Sequence, residues 1–168
     1  MDCFDKNIHI HDQNSTEFSV MNKNYPPMIL NMLEACFPQN EINSKDYFGT
    51  PHQRVICLIL TKPGNQVEIV GFCFIRQIRN DACFIHSVCM RKNRQGQKCC
   101  DRIFSYLVSN YGEYNLFLSV RVGKYAGKGL PENTAAIKCY SKNGFFFMDD
   151  ICVVQADGLN CKMVRPKK

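Results

Sequence analysis

The sequence predicts an α/β fold, on three observations. Between Arg54 and Met90 three apolar runs are separated by short turns, the pattern of a strand meander. From Phe84 to Leu107 an apolar run, a basic turn and a segment of helical period follow one another. Beyond them, the helix-like segment 133–142 lies between strand-like Leu116–Val120 and a final hairpin. The 168 residues suffice for one domain with a full core, and no repeat or linker divides 1–168.

Residues 1–23 form a polar segment with two strand-like pieces, 8–10 and 18–20, one of which is expected to be the first strand. His9 and His11 share a strand face there, but two histidines without a third ligand make no metal site, and no metal is expected. Tyr25–Phe37 predicts a helix. Asn24 is its candidate cap, Pro26 and Pro27 fit its start, and Met28, Met32, Ala35 and Cys36 mark its apolar side. Pro38 ends it, and Ser44 is placed as the cap of a short helix through Phe48.

Arg54–Leu60 and Val67–Ile75 form a hairpin around Lys62–Asn65. Ala82–Met90 follows, and its unbroken apolar character marks a central strand covered on both faces. A helix at 96–111 has Cys99, Cys100, Ile103, Phe104, Leu107, Val108 and Tyr111 on one buried face, and Gly112 stops it. Leu116–Val120 is a strand. The basic, glycine-rich loop 122–132 after it lacks the spacing of a phosphate-binding P-loop, since no Ser or Thr follows Lys128. The helix 133–142 closes at Asn143-Gly144, and Phe145 opens a strand. Ile151–Val154 and Cys161–Val164 make the final hairpin about Asp157-Gly158, with 165–168 a loose basic tail.

The net charge of +6 is unevenly placed: residues 1–50 carry three lysines and seven acidic residues, residues 51–168 eighteen basic and eight acidic ones. The basic part surrounds the 84–107 stretch, which fits an anionic ligand as readily as a solvated face. The helix start there presents unpaired N–H groups and a positive dipole end, a natural seat for phosphate. Nucleic acid ranks last, because 91–98 has no interleaved aromatics. Eleven cysteines include no Cys-x-x-Cys pair, which removes the main support for zinc-ribbon and redox motifs. Cys57, Cys73, Cys83, Cys89, Cys99 and Cys152 lie in apolar runs and read as small core residues in a reducing compartment, cytoplasmic or nuclear. The Met1–Asp5 start is no signal peptide, and no apolar run reaches membrane length, so a soluble, unsecreted protein is expected.

The segment Asn133-Thr-Ala-Ala-Ile-Lys-Cys-Tyr140-Ser-Lys-Asn-Gly144-Phe145 resembles the Asn-x-x-Ala-x-x-x-Tyr-x-x-x-Gly-Phe segment of the GNAT superfamily of acetyl-CoA-dependent N-acetyltransferases, with all five positions matched. The turn after Met90 resembles the same family's cofactor segment, Gln/Arg-x-x-Gly-x-Gly/Ala. Aligning Gly96 with the central glycine puts Asp101 and Arg102 where two core leucines belong. Aligning Gln95–Cys100 instead gives those places to Ile103 and Phe104, which suits the buried face. Lys98 then stands for the central glycine and Cys100 for the last small residue. The Lys98 side chain either crowds a pyrophosphate or pairs with it.

The resemblance implies a GNAT-like mixed, mostly antiparallel central sheet of six to seven strands flanked by about four helices. It implies an acetyl-CoA-dependent N-acyltransferase that moves acetyl to a primary amine by direct attack in a ternary complex, without metal. The cofactor-binding residues it implies are Val88, Cys89 and Met90 on a strand that splays from its neighbour, then Gln95, Gly96, Gln97, Lys98, Cys99 and Cys100 around the pyrophosphate, with Asn133 and Tyr140. Arg91 and Arg94 would add charge. Tyr140 would protonate the leaving thiolate, and Asn133 and Tyr140, two turns apart, share a helix face. His86 stands where some family members place a catalytic histidine and would deprotonate the amine. Glu68 and Glu132 are fallback bases, and Ser87 or Ser119 could order a water. A nucleophilic role for Cys89, Cys99 or Cys100 is disfavoured, because no histidine is placed beside any of them.

In the family the acceptor is chosen by the first helix with its following loop, here 37–48, and by the loop before Asn133. The long basic loop favours a protein or peptide amine of acidic character, and a small amine is the competing acceptor. Lys98 in the phosphate turn favours the alternative of a non-catalytic acetyl-CoA-binding module.

Overall fold

The computed structural model describes residues 6–21 and 23–168. Seven strands are present: β1 (Ile8–Asn14), β2 (Gln53–Thr61), β3 (Val67–Arg79), β4 (Ala82–Met90), β5 (Asn115–Gly123), β6 (Phe146–Gln155) and β7 (Gly158–Arg165). They form one mixed sheet in the order β1-β2-β3-β4-β5-β7-β6, in which β4 and β5 are parallel and the other neighbours antiparallel. The helices among the described residues are α1 (Ser15–Met21), α2 (Tyr25–Cys36), α3 (Ser44–Phe48), α4 (Cys99–Tyr111) and α5 (Thr134–Lys142).

The sheet buries an apolar layer on each face. On one, Ile103, Phe104 and Leu107 of α4, with Cys139 and Tyr140 of α5, pack on Ile56, Leu58, Val70, Cys73, Ile85 and Leu118. On the other, Phe18, Ile29, Met32, Leu33 and Phe48 of α1–α3 pack on Val55, Ile59, Phe72 and Phe74. Strands β2 to β4 are covered on both sides, which is why they read as continuous apolar runs. Among the described residues no helix is long and apolar enough to cross a membrane, and no group of three His, Cys, Asp or Glu could hold a metal. His9 and His11 are exposed on β1.

Several elements differ from the sequence expectation. Residues 18–20 are helical, because Asn14 Oδ1 accepts from the N–H of Thr16 (3.0 Å) and Glu17 (3.2 Å) and starts a helix that buries Phe18. The buried side of α2 is Ile29, Met32 and Leu33, with Ala35 exposed, and Asn24 makes no side-chain cap. Asn43, not Ser44, caps α3 by accepting from the Lys45 N–H at 3.0 Å. The helix expected from 96 begins at Cys99, since Lys98 has φ +60° and cannot continue a right-handed helix. The two expected pieces at 145 and 151–154 are one strand, β6, whose register on β7 breaks between Phe147 and Cys152. The tail is not loose. Arg165 is buried at the end of β7, and the Lys167 and Lys168 N–H groups donate to Asn115 Oδ1 and Gly112 O.

The cysteines are the largest correction. Cys36–Cys89, Cys100–Cys139 and Cys152–Cys161 are disulfides, and Cys99 carries no free thiol either. Cys152 is exposed. Cys57, Cys73 and Cys83 remain buried thiols, and burial pushes the Cys83 thiol up to about 11. Paired cysteines no longer argue for a reducing compartment. The Met1–Asp5 start lies outside the described residues.

Candidate active site

The β4–β5 pair is hydrogen-bonded only at its beginning. Ala82, Cys83 and Phe84 pair with Asn115, Leu116 and Phe117, and there the ladder ends, although β4 runs to Met90 and β5 to Gly123. The cause lies partly in β4 itself. Its register on β3 slips between Phe74↔His86 and Phe72↔Cys89, a bulge in which Ser87 takes φ +54°. The bulge switches the alternation, so His86 and Cys89 both face the α1–α3 layer while Val88 and Met90 pack toward the α4–α5 layer. The result is a wedge between two parallel strands that leaves the β5 side of residues 85–90 out of the ladder.

At the wide end of the wedge stands the α4 start. Gly96 has φ +78° and Lys98 φ +60°. A left-handed residue before a right-handed helix turns successive N–H groups to one side, and the first intrahelical bond is Arg102 N–H to Lys98 O (3.0 Å). The amides of Cys99, Cys100 and Asp101 therefore precede the helical ladder at a positive dipole end. Lys98 thus occupies the backbone conformation that a glycine adopts without strain. The basic turn is anchored from β3. Glu68 meets Lys62 (2.5 Å), Arg94 (3.4 Å) and Arg91 (3.6 Å), and Arg91 Nε donates to Ile69 O (2.8 Å). Partial burial alone would raise the Glu68 carboxyl, but the hydrogen bonds and charges of Lys62 and Arg94 outweigh it and hold it below its usual range. A carboxylate so committed is a poor fallback base. Arg91 and Arg94 spend part of their charge on it.

Helix α5 forms the other wall. Asn133 is its N-cap, with Oδ1 accepting from the Ala136 N–H at 3.2 Å and its own N–H donating to Arg121 O at 3.0 Å. Tyr140 is 6% exposed, its ring 4.8 Å from Phe104 and 6.3 Å from Phe145, and its hydroxyl has no hydrogen-bond partner among the described residues. Burial pushes its phenol well above the usual range, so it stays protonated at any ordinary pH. Three ties join α5 to α4: the Tyr140–Phe104 contact, the Cys100–Cys139 disulfide and the Lys142–Asp101 ion pair at 2.7 Å. Cys89 is bonded to Cys36, Cys100 to Cys139, and Cys99 has no free thiol, so none offers a nucleophilic thiolate. Ser119 is half-buried on β5, and Glu132 is exposed and accepts from the Thr134 hydroxyl at 3.1 Å.

His86 lies on the opposite face of the sheet from Tyr140, in a cleft of about 340 Å³ lined by Asp46, Tyr47, Gln53, Arg76 and Phe84. Its ring stacks on Phe74 (5.5 Å) and Phe84 (6.1 Å). Nε2 is 2.8 Å from Gln53 Oε1, and Nδ1 is 3.1 Å from Ser87 Oγ. Burial, with the Arg76 charge adding to it, pushes the imidazole down to about 4, so the ring is neutral at pH 7. Sequence reasoning missed Gln53, Tyr47 and Arg76. The one available signal was Gln53, a long polar residue heading a strand that is otherwise apolar.

No protein-family model matches the sequence, and no curated protein sequence matches it significantly. Solved structures do match. An aminoglycoside 6'-N-acetyltransferase complexed with coenzyme A superposes with TM-score 0.66 at 14% identity over 94% of this chain and 95% of that one. A GNAT-family acetyltransferase from Staphylococcus aureus Mu50 gives 0.67 at 14% over 96% and 99%. The aminoglycoside 6'-N-acetyltransferase from Enterococcus faecium gives 0.66 at 13% over 94% and 96%. The chain has the GNAT acetyltransferase fold, with the mixed, mostly antiparallel sheet that the motif resemblance implied.

Proposed function

We propose that the protein is an acetyl-CoA-dependent N-acetyltransferase acting on a primary amine. The observation that carries this reading is the wedge: β4 and β5 part after Phe84–Phe117, and the amides at the start of α4 stand at its open end. The parted backbone of residues 85–90 suits an extended amide-bearing chain that adds itself as a partial strand, and the α4 start suits the diphosphate at that chain's end. These residues fit coenzyme A, whose thioester supplies the activated acetyl group. Val88, Cys89 and Met90 would hold the pantetheine through backbone groups. Gln95 to Cys100 would hold the pyrophosphate, with Lys98 adding its charge from the helix cap. Asn133 shapes the opposite wall by fixing the start of α5.

Within this reading the chain's own residues move protons on both sides of the gap. Tyr140, buried and protonated, donates to the departing sulfur. His86, neutral at pH 7 and so with a lone pair to offer, accepts the proton that an amine must lose as it attacks, since a free lysine has a pKa near 10.4. The burial that keeps the ring neutral also makes it a weaker base than a free imidazole. Direct attack needs no cysteine nucleophile, in keeping with the paired state of the three candidates.

For the acceptor we favour a protein or peptide amine of acidic character. The loop 122–132 leads into Asn133 at the start of α5, carries Lys124 and Lys128, and is braced by Arg121, which donates to Pro131 O (2.7 Å) and pairs with Asp157 (2.9 Å). The competing acceptor is a small amine; two of the similar structures are aminoglycoside 6'-N-acetyltransferases. Asp46 in the His86 cleft is the observation on its side. One experiment addresses all of this. The purified protein is titrated with acetyl-CoA by calorimetry and then incubated with labelled acetyl-CoA and either a cell-peptide mixture or a panel of small amines, with acetylated products read by mass spectrometry. Peptide acetylation is expected. Tight binding with no product in either mixture would leave a binding module, and no binding would end both readings.

A further inference from the structure

The polar side chains around His86, those of Gln53, Ser87 and Tyr47, are arranged so that only one pattern of protons satisfies them. Gln53 is buried, and its side-chain nitrogen lies 3.1 Å from Asp46 O and 2.8 Å from Tyr47 O. Backbone carbonyls only accept, so that atom is the amide NH2 and the other is the carbonyl oxygen. This oxygen is the atom 2.8 Å from His86 Nε2. In a neutral ring Nε2 must therefore carry the hydrogen. The other tautomer would set two lone pairs against each other at that distance inside a desolvated cleft. Nδ1 is left with a lone pair, and the group facing it is Ser87 Oγ at 3.1 Å. Ser87 in turn lies 3.5 Å from the Tyr47 hydroxyl, at the long limit of a hydrogen bond. With Ser87's only hydroxyl proton directed to Nδ1, its oxygen is free to accept.

We propose that Gln53 is a positioning residue that holds His86 as the Nε2–H tautomer and so reserves Nδ1, reached through the Ser87 hydroxyl, for the proton of the acceptor amine. The proton balance is simple. The ammonium proton of the acceptor passes to Ser87 Oγ while Ser87's own proton passes to Nδ1, leaving a neutral amine, an intact serine and an imidazolium that still donates from Nε2 to Gln53. The tautomer assignment stands on the hydrogen-bond geometry alone. The proton path rests on the acetyl-transfer reading. The charged and titratable groups that face the ring are Asp46 and Tyr47 from α3 and Arg76 from β3.

The test is long-range nitrogen–proton NMR on protein labelled at histidine, with the His86 signals assigned by their loss in His86→Gln. At pH 7 the wild-type ring is expected to show a protonated Nε2 and an unprotonated Nδ1. In Gln53→Met the lock is removed, and the two tautomers are expected to mix. In Gln53→Glu a carboxylate faces Nε2–H, and the titration midpoint of His86 moves up by about 1–3 pH units. A wild-type ring protonated on Nδ1, or a tautomer unchanged in Gln53→Met, overturns the proposal. Should both Gln53 variants fail to fold, the wild-type spectrum still decides the tautomer. Ser87→Ala is then read kinetically, where kcat is expected to fall with KM unchanged, and an unchanged kcat removes the path through Ser87. A protein that shows the Nε2–H tautomer but acetylates no amine sinks the transferase reading and leaves the role of Gln53 standing.

Discussion

On the α4–α5 face of the sheet, the candidate site is locked by ties between neighbours: an aromatic contact, a disulfide and an ion pair, all within residues 100–104 and 139–142. On the α1–α3 face, the same gap is bordered by a hydrogen-bonded chain, Gln53 to His86 to Ser87, around one titratable ring. The first region holds its shape by packing and covalent linkage. The second holds a protonation pattern. They are therefore expected to fail differently, the one through geometry or reduction and the other through pH.

The largest effect is expected at Tyr140. In Tyr140→Phe the ring still packs on Phe104 and Phe145, so the melting temperature should hardly move. If the hydroxyl is the acid, turnover falls by about 10²–10⁴-fold while acetyl-CoA binding persists. Full activity would make the α4–α5 face purely structural and break the comparison. Next is the covalent tie. Cys100→Ser removes a link between residues 39 apart in sequence, and on loop-closure grounds the urea-unfolding free energy should drop by about 2–4 kcal/mol. An unchanged unfolding curve would mean that the packing around Phe104 alone holds α5 in place.

The pH prediction sharpens the other side. His86 titrates at about 4 in the folded chain and near 6.5 when unfolded. The unfolded chain thus binds more protons between those values, and stability rises with pH through that window. The contribution is complete above about 6.5 and is lost as pH falls toward 4, amounting to about 3 kcal/mol at most. Carboxylates also protonate in this range, so the measurement is a difference. Between pH 7 and 4.5 the wild type should lose about 2 kcal/mol more than His86→Gln in urea titrations. Parallel losses would show that the ring is solvated and that the cleft imposes no protonation pattern.

The same contrast explains what could be read from the chain. The α4–α5 face was legible because its parts are contiguous. Asn133 caps the helix that carries Ala136 and Tyr140, and the buried face of α4 repeats at helical period, which places Ile103 and Phe104 in the core. The α1–α3 face is assembled by strand pairing. Gln53 reaches His86 from 33 residues away, through a β2–β3–β4 register that includes a bulge no local pattern announces. The cysteines failed for a related reason. The neighbourhoods of Cys57, Cys73, Cys83, Cys89 and Cys99 are buried as their apolar runs suggest, whereas Cys152 is exposed, and a disulfide is in any case a relation between two neighbourhoods: Cys36 and Cys89 are 53 residues apart. The start of α1 does carry a local signal: Asn14 ahead of Ser15, Thr16 and Glu17 is a helix-start pattern, and its cap outweighs the strand-like character of 18–20.

The smallest expected effect separates two contributions that coincide at Lys98. Its left-handed backbone is strained by about 1–2 kcal/mol for a residue with a Cβ, and part of that is offset because glycine gains freedom in the unfolded chain. Lys98→Gly should therefore stabilise the fold by about 1 kcal/mol or less, read as a small rise in melting temperature. The same change removes an exposed positive charge at the start of α4, where an ion pair with the proposed pyrophosphate would contribute up to about 1 kcal/mol. Acetyl-CoA affinity should thus fall by about two- to fivefold at low salt, and the deficit should shrink as salt is added. If affinity rises instead, the lysine side chain crowds the phosphates and the backbone amides alone form the seat. A gain in stability with a loss in affinity is the signature of a residue kept for its charge at a position whose backbone favours glycine.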